Sequence, residues 1–384
     1  DADAGYYVDS TAATSQTACS TGTYQPSTGQ TSCLDADAGY YVPTSASSTQ
    51  TACSAGTYQP STGQSSCINA SPGHYVPTSA STSQTACSIG TYQPSIGQSS
   101  CIEAGAGYYV PTSASTSQTE CSTGTYQPST GQSSCIDADA GYYVPTTAST
   151  SQTACATGTY QPNTGQDSCI ESSVGHYVPT TAATSQISCS LGTYQPDTGQ
   201  ASCMDSDAGY YVDSAAASSQ TACEAGAYQP STGQTSCIDA DAGYYVGSPA
   251  SSSQAPCTPG SYQPSNGKSS CFDADPGYYV DSSAAIAQIS CSPGTYNPDS
   301  GSASSTACLS ADTGYFVPHS GSDFQTACTP GTYQPSTGQP SCLESDPGYN
   351  VPGAGSDSQT ACSLGTYQPL SNQSACLDAD TGHH

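Results

Sequence analysis

The sequence predicts a small disulfide-rich tandem repeat, an elongated rod of Cys-closed hairpin-like turns with little helix and only short β-strands. A unit of thirty-four residues, typified by 35–68 (DADAGYYVPTSASSTQTACSAGTYQPSTGQSSCI), recurs eleven times, and the 22 cysteines alternate at separations of 14 and 20 residues. No stretch shows sustained apolar periodicity of about 3.6 or 2 residues. Pro, Gly, Ser and Thr in every unit disfavour helix further.

The predicted repeats follow one another without linkers, so stability must come from contacts between neighbours. The chain starts and stops inside the pattern, and we expect it to be a segment of a longer array. The repeats are 1–34, 35–68, 69–102, 103–136, 137–170, 171–204, 205–238, 239–272, 273–309 with a three-residue insertion, 310–343, 344–377, and 378–384 as the start of a truncated twelfth.

Each repeat divides into two similar halves of seventeen residues. In the second repeat the linking half, 36–52, aligns with the cysteine half, 53–69, through a shared Gly, Tyr and Pro. The two cysteines of the cysteine half fall on Ala36 and Gln50 of the linking half. They are lost together, as expected if they bond to each other, because a single survivor would be a stray thiol.

We therefore predict that the two cysteines of each cysteine half form a disulfide. The alternative, pairing across the twenty-residue spacing, leaves the first and last cysteines of this chain without partners. One loop is stretched to 17 residues by three extra residues in 299–307, which a closed loop tolerates because its entropy rises slowly with length. The predicted pairs are Cys19 with Cys33, Cys53 with Cys67, Cys87 with Cys101, Cys121 with Cys135, Cys155 with Cys169, Cys189 with Cys203, Cys223 with Cys237, Cys257 with Cys271, Cys291 with Cys308, Cys328 with Cys342, and Cys362 with Cys376.

Regular disulfides indicate an oxidising compartment, so we expect an extracellular or cell-surface protein. The formal net charge is -28, and Lys268 is the only Lys or Arg. Without a basic patch the chain is not expected to bind nucleic acid or an anionic membrane. No apolar run is long enough for direct membrane insertion.

The core of such a repeat is predicted to be small. Aliphatic residues are sparse, Trp is absent and Phe occurs three times, whereas there are 29 tyrosines. We expect the tyrosines to be largely buried. Even so, their burial falls short of the cost of ordering one repeat, so order must come from neighbouring repeats, lateral assembly or covalent glycans.

The cysteine half carries the motif Cys-x-x-Gly-Thr-Tyr-Gln-Pro-x-x-Gly-Gln-x-x-Cys. This motif resembles the cysteine-rich repeats of the ephrin-receptor-like and tumour-necrosis-factor-receptor-like class. The resemblance covers essentially every repeat and implies an extracellular, elongated and non-catalytic protein whose short loops are closed by their own disulfides. The linking halves depart from it, because Ala36 and Gln50 stand where the family has a second cysteine pair.

Acidic residues open most repeats, and two interpretations of them stay open. Asp35 and Asp37, two residues apart before a glycine, resemble part of a calcium loop, and they are the only metal candidates. The second interpretation is an acidic Asx-type turn. It is favoured because other repeats replace the aspartates, and the downstream Glu of a calcium loop is missing. No cofactor is expected.

Glycosylation is the main predicted modification. Asn69 and Asn372 lie in Asn-x-Ser sequons. The tracts after each Pro are rich in Ser and Thr, a composition typical of O-glycosylated stalks, although hydroxyls that only solvate the surface are the alternative. The threonines proposed to carry glycans are Thr28, Thr44, Thr62, Thr78, Thr112, Thr130, Thr146, Thr164, Thr180, Thr198, Thr232 and Thr337.

The sequence contains no pattern that indicates catalysis. His74 and His176 replace the first tyrosine of a Tyr-Tyr pair, and no repeat is atypical enough to hold a nucleophile with its base. We predict a structural extracellular glycoprotein that forms a rod or fibril, such as a surface stalk, sheath or filament, and that partners with itself. The alternative is an adhesin or receptor-like ectodomain that binds a protein or glycan ligand through a subset of repeats.

Overall fold

The structure is a computed structural model that describes residues 1–380. The predicted start of a twelfth repeat, 378–384, therefore lies partly outside the described residues. The chain divides into two units, one formed by 1–187 with 197–202 and the other by 188–196 with 203–384. The same local structure recurs in both units.

The recurring element is a hairpin of two short antiparallel strands, one hairpin in each half-repeat. In the linking half of the second repeat, Tyr41 lies opposite Thr51. In the cysteine half, Tyr58 lies opposite Ile68. The only helix in the described part of the chain is one 3-10 turn, Ser305–Ala307. A disulfide-rich tandem repeat with little helix and short β-strands is thereby confirmed.

All strands have two residues. In the linking halves the first strands are Tyr6–Tyr7, Tyr40–Tyr41, His74–Tyr75, Tyr108–Tyr109, Tyr142–Tyr143, His176–Tyr177, Tyr210–Tyr211, Tyr244–Tyr245, Tyr278–Tyr279, Tyr315–Phe316 and Tyr349–Asn350, and the second strands are Thr17–Ala18, Thr51–Ala52, Thr85–Ala86, Thr119–Glu120, Thr153–Ala154, Ile187–Ser188, Thr221–Ala222, Ala255–Pro256, Ile289–Ser290, Thr326–Ala327 and Thr360–Ala361. In the cysteine halves the first strands are Thr23–Tyr24, Thr57–Tyr58, Thr91–Tyr92, Thr125–Tyr126, Thr159–Tyr160, Thr193–Tyr194, Ala227–Tyr228, Ser261–Tyr262, Thr295–Tyr296, Thr332–Tyr333 and Thr366–Tyr367, and the second strands are Leu34–Asp35, Ile68–Asn69, Ile102–Glu103, Ile136–Asp137, Ile170–Glu171, Met204–Asp205, Ile238–Asp239, Phe272–Asp273, Leu309–Ser310, Leu343–Glu344 and Leu377–Asp378.

A tight turn sets the start of each hairpin. In the linking half the amide of Tyr40 donates to the carbonyl of Asp37 at 2.9 Å. Gly39, the third residue of this turn, has a φ of 88°. A type II turn requires a positive φ at this position, and glycine supplies it without steric cost. The repeated Gly-Tyr therefore places the first strand immediately after the turn.

Backbone hydrogen bonds tie each half to the next one along the chain. The amide of Gly39 donates to the carbonyl of Gln59 at 2.8 Å, and that of Gly56 donates to Val76 at 2.8 Å. The donor lies in a linking half in the first bond and in a cysteine half in the second. The two halves therefore engage their successors in the same way, and the seventeen-residue similarity is also a structural period.

The core is a small buried cluster in each half rather than a layer of tyrosines. Ala36, Val42 and Cys53 are fully buried, and Gln59 is nearly so. The tyrosines of the hairpins, such as Tyr58, are only half-buried. The expectation of largely buried tyrosines is therefore wrong. The residue after the first strand, Val42 or its equivalent Gln59, is tied to the next half, because its backbone amide donates to Gln64 at 3.0 Å or to Ser81 at 3.1 Å.

Candidate functional site

The disulfides close one loop in each cysteine half. The structure joins the cysteines within each half and none across the twenty-residue spacing. Ten loops span 14 residues and one spans 17. The first cysteine of the second repeat, Cys53, is fully buried and Cys67 is half-buried. The bond thus anchors the end of the loop to the buried cluster.

The longer loop keeps the bonds at its tip. Gly301 donates to the carbonyl of Ala274 at 2.8 Å, and Val280 donates to Ser302 at 2.9 Å, as their equivalents do in other repeats. The extra residues follow Ser302 and fold into the 3-10 turn, where the Ser304 side chain accepts from the amide of Thr306. The insertion therefore leaves the contacts with the linking half of the same repeat intact.

A buried side-chain amide lies inside each cysteine loop and bonds to it, a glutamine in ten repeats and Asn297 in the repeat with the insertion. Nε2 of Gln59 donates to the carbonyl of Ser66 at 2.8 Å. The amide of Ser61 donates to Oε1 of Gln59 at 3.1 Å. Among the described residues every buried side-chain polar atom has a partner, so the buried amide carries no desolvation penalty for an unmade bond. Sequence analysis missed this role, although the fixed Tyr-Gln-Pro was its signal.

A second glutamine closes the linking half at the position where the cysteine half has its second cysteine. Oε1 of Gln50 accepts from the amide of Asp37 at 2.7 Å. Its Nε2 donates to Oδ2 of Asp37 at 2.6 Å. We call this pair the Asp-Gln clasp. It joins the two ends of the linking-half loop without a covalent bond, in place of the absent cysteine pair.

The clasp persists in reduced form where the aspartate is replaced. In three repeats Ser71, Gly105 and Ser173 occupy the position of Asp37, and each still donates its amide to the glutamine side chain. The backbone bond is therefore the common part, and the carboxylate adds a second bond where it is present.

The structure gives the two calcium candidates separate partners. Asp37 is engaged in the clasp. The carboxylate of Asp35 instead lies beside the turn at Gly63, 3.3 Å from the position that a Cβ on that glycine would occupy. Within residues 1–380 no group of three or more His, Cys, Asp and Glu side chains is placed to hold a metal ion. The surroundings of these two carboxylates resemble those of an acidic turn more than those of a calcium site.

The predicted glycosylation positions lie at the surface. Asn69, Asn372 and all twelve threonines named above are exposed. Six of these threonines also make side-chain hydrogen bonds. The hydroxyls of Thr130 and Thr198 donate to Glu103 and Glu171 at 2.9 Å. The hydroxyls of Thr44, Thr78, Thr112 and Thr146 share a hydrogen bond of 3.0–3.2 Å with the hydroxyl of the serine three residues on. Within residues 1–380, repeats that begin with Asp instead of Glu show no hydrogen bond between this first carboxylate and the threonine at the tip of the cysteine loop.

A shallow cleft recurs between the two halves of a repeat. In the second repeat it measures about 470 Å³ and is lined by Tyr41, Thr51, Ser54 and the second cysteine among others. In the repeat 205–238 the equivalent cleft, about 420 Å³, adds two carboxylates, Asp213 and Glu224. An aromatic ring beside hydroxyls and carboxylates can bind polar ligands, whereas nothing in the lining provides a nucleophile paired with a base.

A row of exposed apolar side chains is the second recurring surface feature. The residue after the second cysteine of every cysteine half is apolar, and between 43% and 55% of it is exposed. In the first unit this apolar row is Leu34, Ile68, Ile102, Ile136 and Ile170. In the second unit it is Met204, Ile238, Phe272, Leu309, Leu343 and Leu377.

The comparison with protein families agrees with the motif. A family model described as tyrosine-protein kinase ephrin type A/B receptor-like matches residues 39–87 and 85–121. The resemblance to ephrin-receptor-like repeats is thereby confirmed over these residues, and the rest of the chain repeats the same motif. A search of curated proteins found no match.

Regular disulfides and ephrin-receptor-like repeats are both typical of extracellular proteins. Repeats of this type are a non-enzymatic domain. Over the described residues, 1–380, none of the helices has the length and apolar character needed to cross a membrane.

Proposed function

We propose that the chain is a structural extracellular glycoprotein, a non-catalytic array that acts as a stalk, sheath or filament and associates with itself. The observation that supports it most is the uniformity of the bonds between halves. The amide of Gly39 and that of Gly243 each donate to the Gln carbonyl twenty residues on at 2.8 Å. Uniform bonds of this kind suit a load-bearing array, in which each repeat supports its neighbours.

The array form follows from energetics as well. Ordering thirty-four residues costs roughly 35 to 70 kcal/mol, whereas one closed loop returns about 3 kcal/mol. The buried cluster of one repeat, typified by Val42, is small. Neighbouring repeats must therefore supply the balance, and stability should rise with the number of repeats.

The test is the shape and assembly of native material. A compact chain of 384 residues would have a radius of gyration of about 21 Å. Small-angle scattering should give at least about twice that compact value. Electron microscopy should show particles of uniform width. Compact monomers that bind a ligand saturably at one-to-one stoichiometry would overturn the structural role.

Glycans are proposed to cover the exposed hydroxyl tracts. The exposure of Thr44, Thr62 and the sequon asparagines supports this, because modifying enzymes need accessible acceptors. The coat would shield backbone that the small core leaves open to solvent.

The second candidate, an adhesin or receptor-like ectodomain, is favoured by one cleft. Only in the repeat 205–238 do two carboxylates, Asp213 and Glu224, line the cleft beside Tyr211, among the clefts described above. Binding of a glycan or protein ligand that is lost in Asp213→Asn with Glu224→Gln would support this role. The change Glu120→Gln, in the cleft of another repeat, is the control.

A further inference from the structure

We propose that the apolar row is the surface through which a second copy of this chain docks side by side. The inference rests on the proposed structural role and names the contact that would build its lateral assembly. Each row residue lies directly opposite a tyrosine on the neighbouring strand, as Leu34 opposite Tyr24 and Ile68 opposite Tyr58. The row residue and its tyrosine therefore form an apolar pair at the same place in each repeat.

The row stands out against the equivalent position in the linking half, which is threonine in eight repeats, Ala255 in one, and isoleucine in two, at Ile187 and Ile289. There Thr51 lies opposite Tyr41, and Thr85 lies opposite Tyr75. Threonine fits the strand as well as isoleucine does, because both are β-branched. The hairpin itself therefore does not require an aliphatic side chain, yet every cysteine half has an apolar residue with about half its surface exposed. Contact with another molecule accounts for that difference.

The acidic side chain that follows the row residue in sequence points away from the row, as Leu34 and Asp35 illustrate. Asp35 follows Leu34 on the same strand. Successive residues of a strand point to opposite faces. The Asp35 carboxylate lies beside the Gly63 turn, 3.3 Å from the position of a Cβ on that glycine. The apolar pair of Leu34 and Tyr24 is therefore free of the acidic residue next to it in sequence.

Area and spacing favour a second copy over other partners. About half of an aliphatic side chain with part of a tyrosine ring amounts to roughly 100 Å² per repeat. A stable interface needs about 800 Å² from each partner, so one repeat falls far short and many must engage together. A second copy has the same thirty-four-residue spacing, so within each unit it can match the successive pairs together. Association should therefore depend steeply on the number of repeats.

The net charge fixes the expected response to salt. Two copies that each have a formal charge of -28 repel one another. Raising the salt from about 0.1 M to 1 M shortens the Debye length from about 10 Å to 3 Å and weakens that repulsion. Docking through the row should therefore strengthen with salt. A cationic partner held by the acidic residues would show the opposite response.

The experiment measures self-association of the full disulfide-bonded chain by sedimentation velocity over a range of protein and salt concentrations. The row variant is Ile68→Thr with Ile102→Thr, which copies the threonine found in linking halves. Its control is Ile89→Thr with Ile96→Thr, two aliphatic residues of the third repeat that are 56% and 58% exposed and lie outside the row. Neither variant changes the charge, and circular dichroism of the tyrosines checks the fold.

We expect the parent chain and the control to associate, and the row variant to require about tenfold more protein. Replacing all five row residues of the first unit with threonine should abolish the association that depends on the apolar row of that unit. The reverse variant, Thr51→Ile with Thr85→Ile, should strengthen association. A parent chain that stays monomeric at every salt concentration, or a row variant that associates like the control, would overturn the inference. Extended monomers in either case would leave the structural role standing.

Discussion

A close approach between repeats predicts a large difference between two glycine substitutions. Gly209 and Gly165 have φ values of 88° and 70°, both in the left-handed region, and the amide of each donates to a backbone carbonyl, Gln229 at 2.7 Å and Ala138 at 2.8 Å. They differ in what a side chain would meet. A Cβ on Gly209 would lie 2.2 Å from the carbonyl oxygen of Ala250, whereas the nearest neighbour of a Cβ on Gly165 would be the Asp137 side chain, at an ordinary contact distance of 3.6 Å. Gly165→Ala is therefore the control for Gly209→Ala.

The magnitude follows from what must move. Both substitutions place alanine in left-handed backbone, at a cost of about 1–2 kcal/mol that cancels in the comparison. Gly209→Ala also pushes away the Ala250 turn, whose bonds are Ala250 to Cys223 at 2.8 Å and Gln229 to Ser251 at 3.0 Å. Overpacking costs about 1–3 kcal/mol and each lost backbone bond about 1 kcal/mol. We expect Gly209→Ala to be less stable than Gly165→Ala by about 2–5 kcal/mol.

The assay combines urea unfolding, followed through the near-ultraviolet dichroism of the tyrosines, with hydrogen exchange of the Ala250 amide. Exchange is needed because an array can open locally without unfolding as a whole. In Gly209→Ala the amide of Ala250 should exchange faster, and in Gly165→Ala it should be unchanged. Equal losses of stability in the two variants, with Ala250 equally protected, would refute the contact that joins repeats across forty-one residues.

Three further predictions concern covalent structure, the clasp and glycans. Trypsin should cut after the exposed Lys268. The two fragments should stay joined until reduction, because the Cys257 to Cys271 disulfide spans the cut. Cysteine pairing across the twenty-residue spacing would instead release two fragments without a reductant. Gln152→Ala breaks two clasp bonds and should destabilise its repeat by about 1–2 kcal/mol, measured by hydrogen exchange of the Asp139 amide. The control Gln118→Ala breaks only the bond to Gly105 and should cost about half as much. Equal losses of stability would mean that the Asp139 carboxylate adds nothing to the clasp. The intact mass of native material should exceed 38.4 kDa by several kilodaltons, with the increase on peptides that contain the exposed threonines, and an unmodified mass would remove the proposed coat.

Local pattern was sufficient to predict the repeat, the short strands and the oxidising compartment. The paired loss of cysteines at Ala36 and Gln50 also predicted disulfides within each half, because that inference needs only the spacing and the chemistry of a stray thiol. The motif Cys-x-x-Gly-Thr-Tyr-Gln-Pro pointed to the family that the comparison confirmed over residues 39–121. These features all depend on residues close together in the chain.

Tertiary structure decided which side chains are buried and what replaces the missing disulfide. Tyr58 is larger and more apolar than Gln59, yet Gln59 is the buried one. Its side chain bonds inside the loop to Ser66 and Ser61, and its backbone amide donates to Ser81 of the next half. Gln50 looked like one more polar residue in a hydroxyl tract until its two bonds to Asp37 were seen. In a periodic sequence, every repeat has equivalent contact partners twenty, twenty-two and forty-one residues further along the chain. Only the three-dimensional packing selects which neighbour covers a residue and which side chains, such as Ile68, are left at the surface.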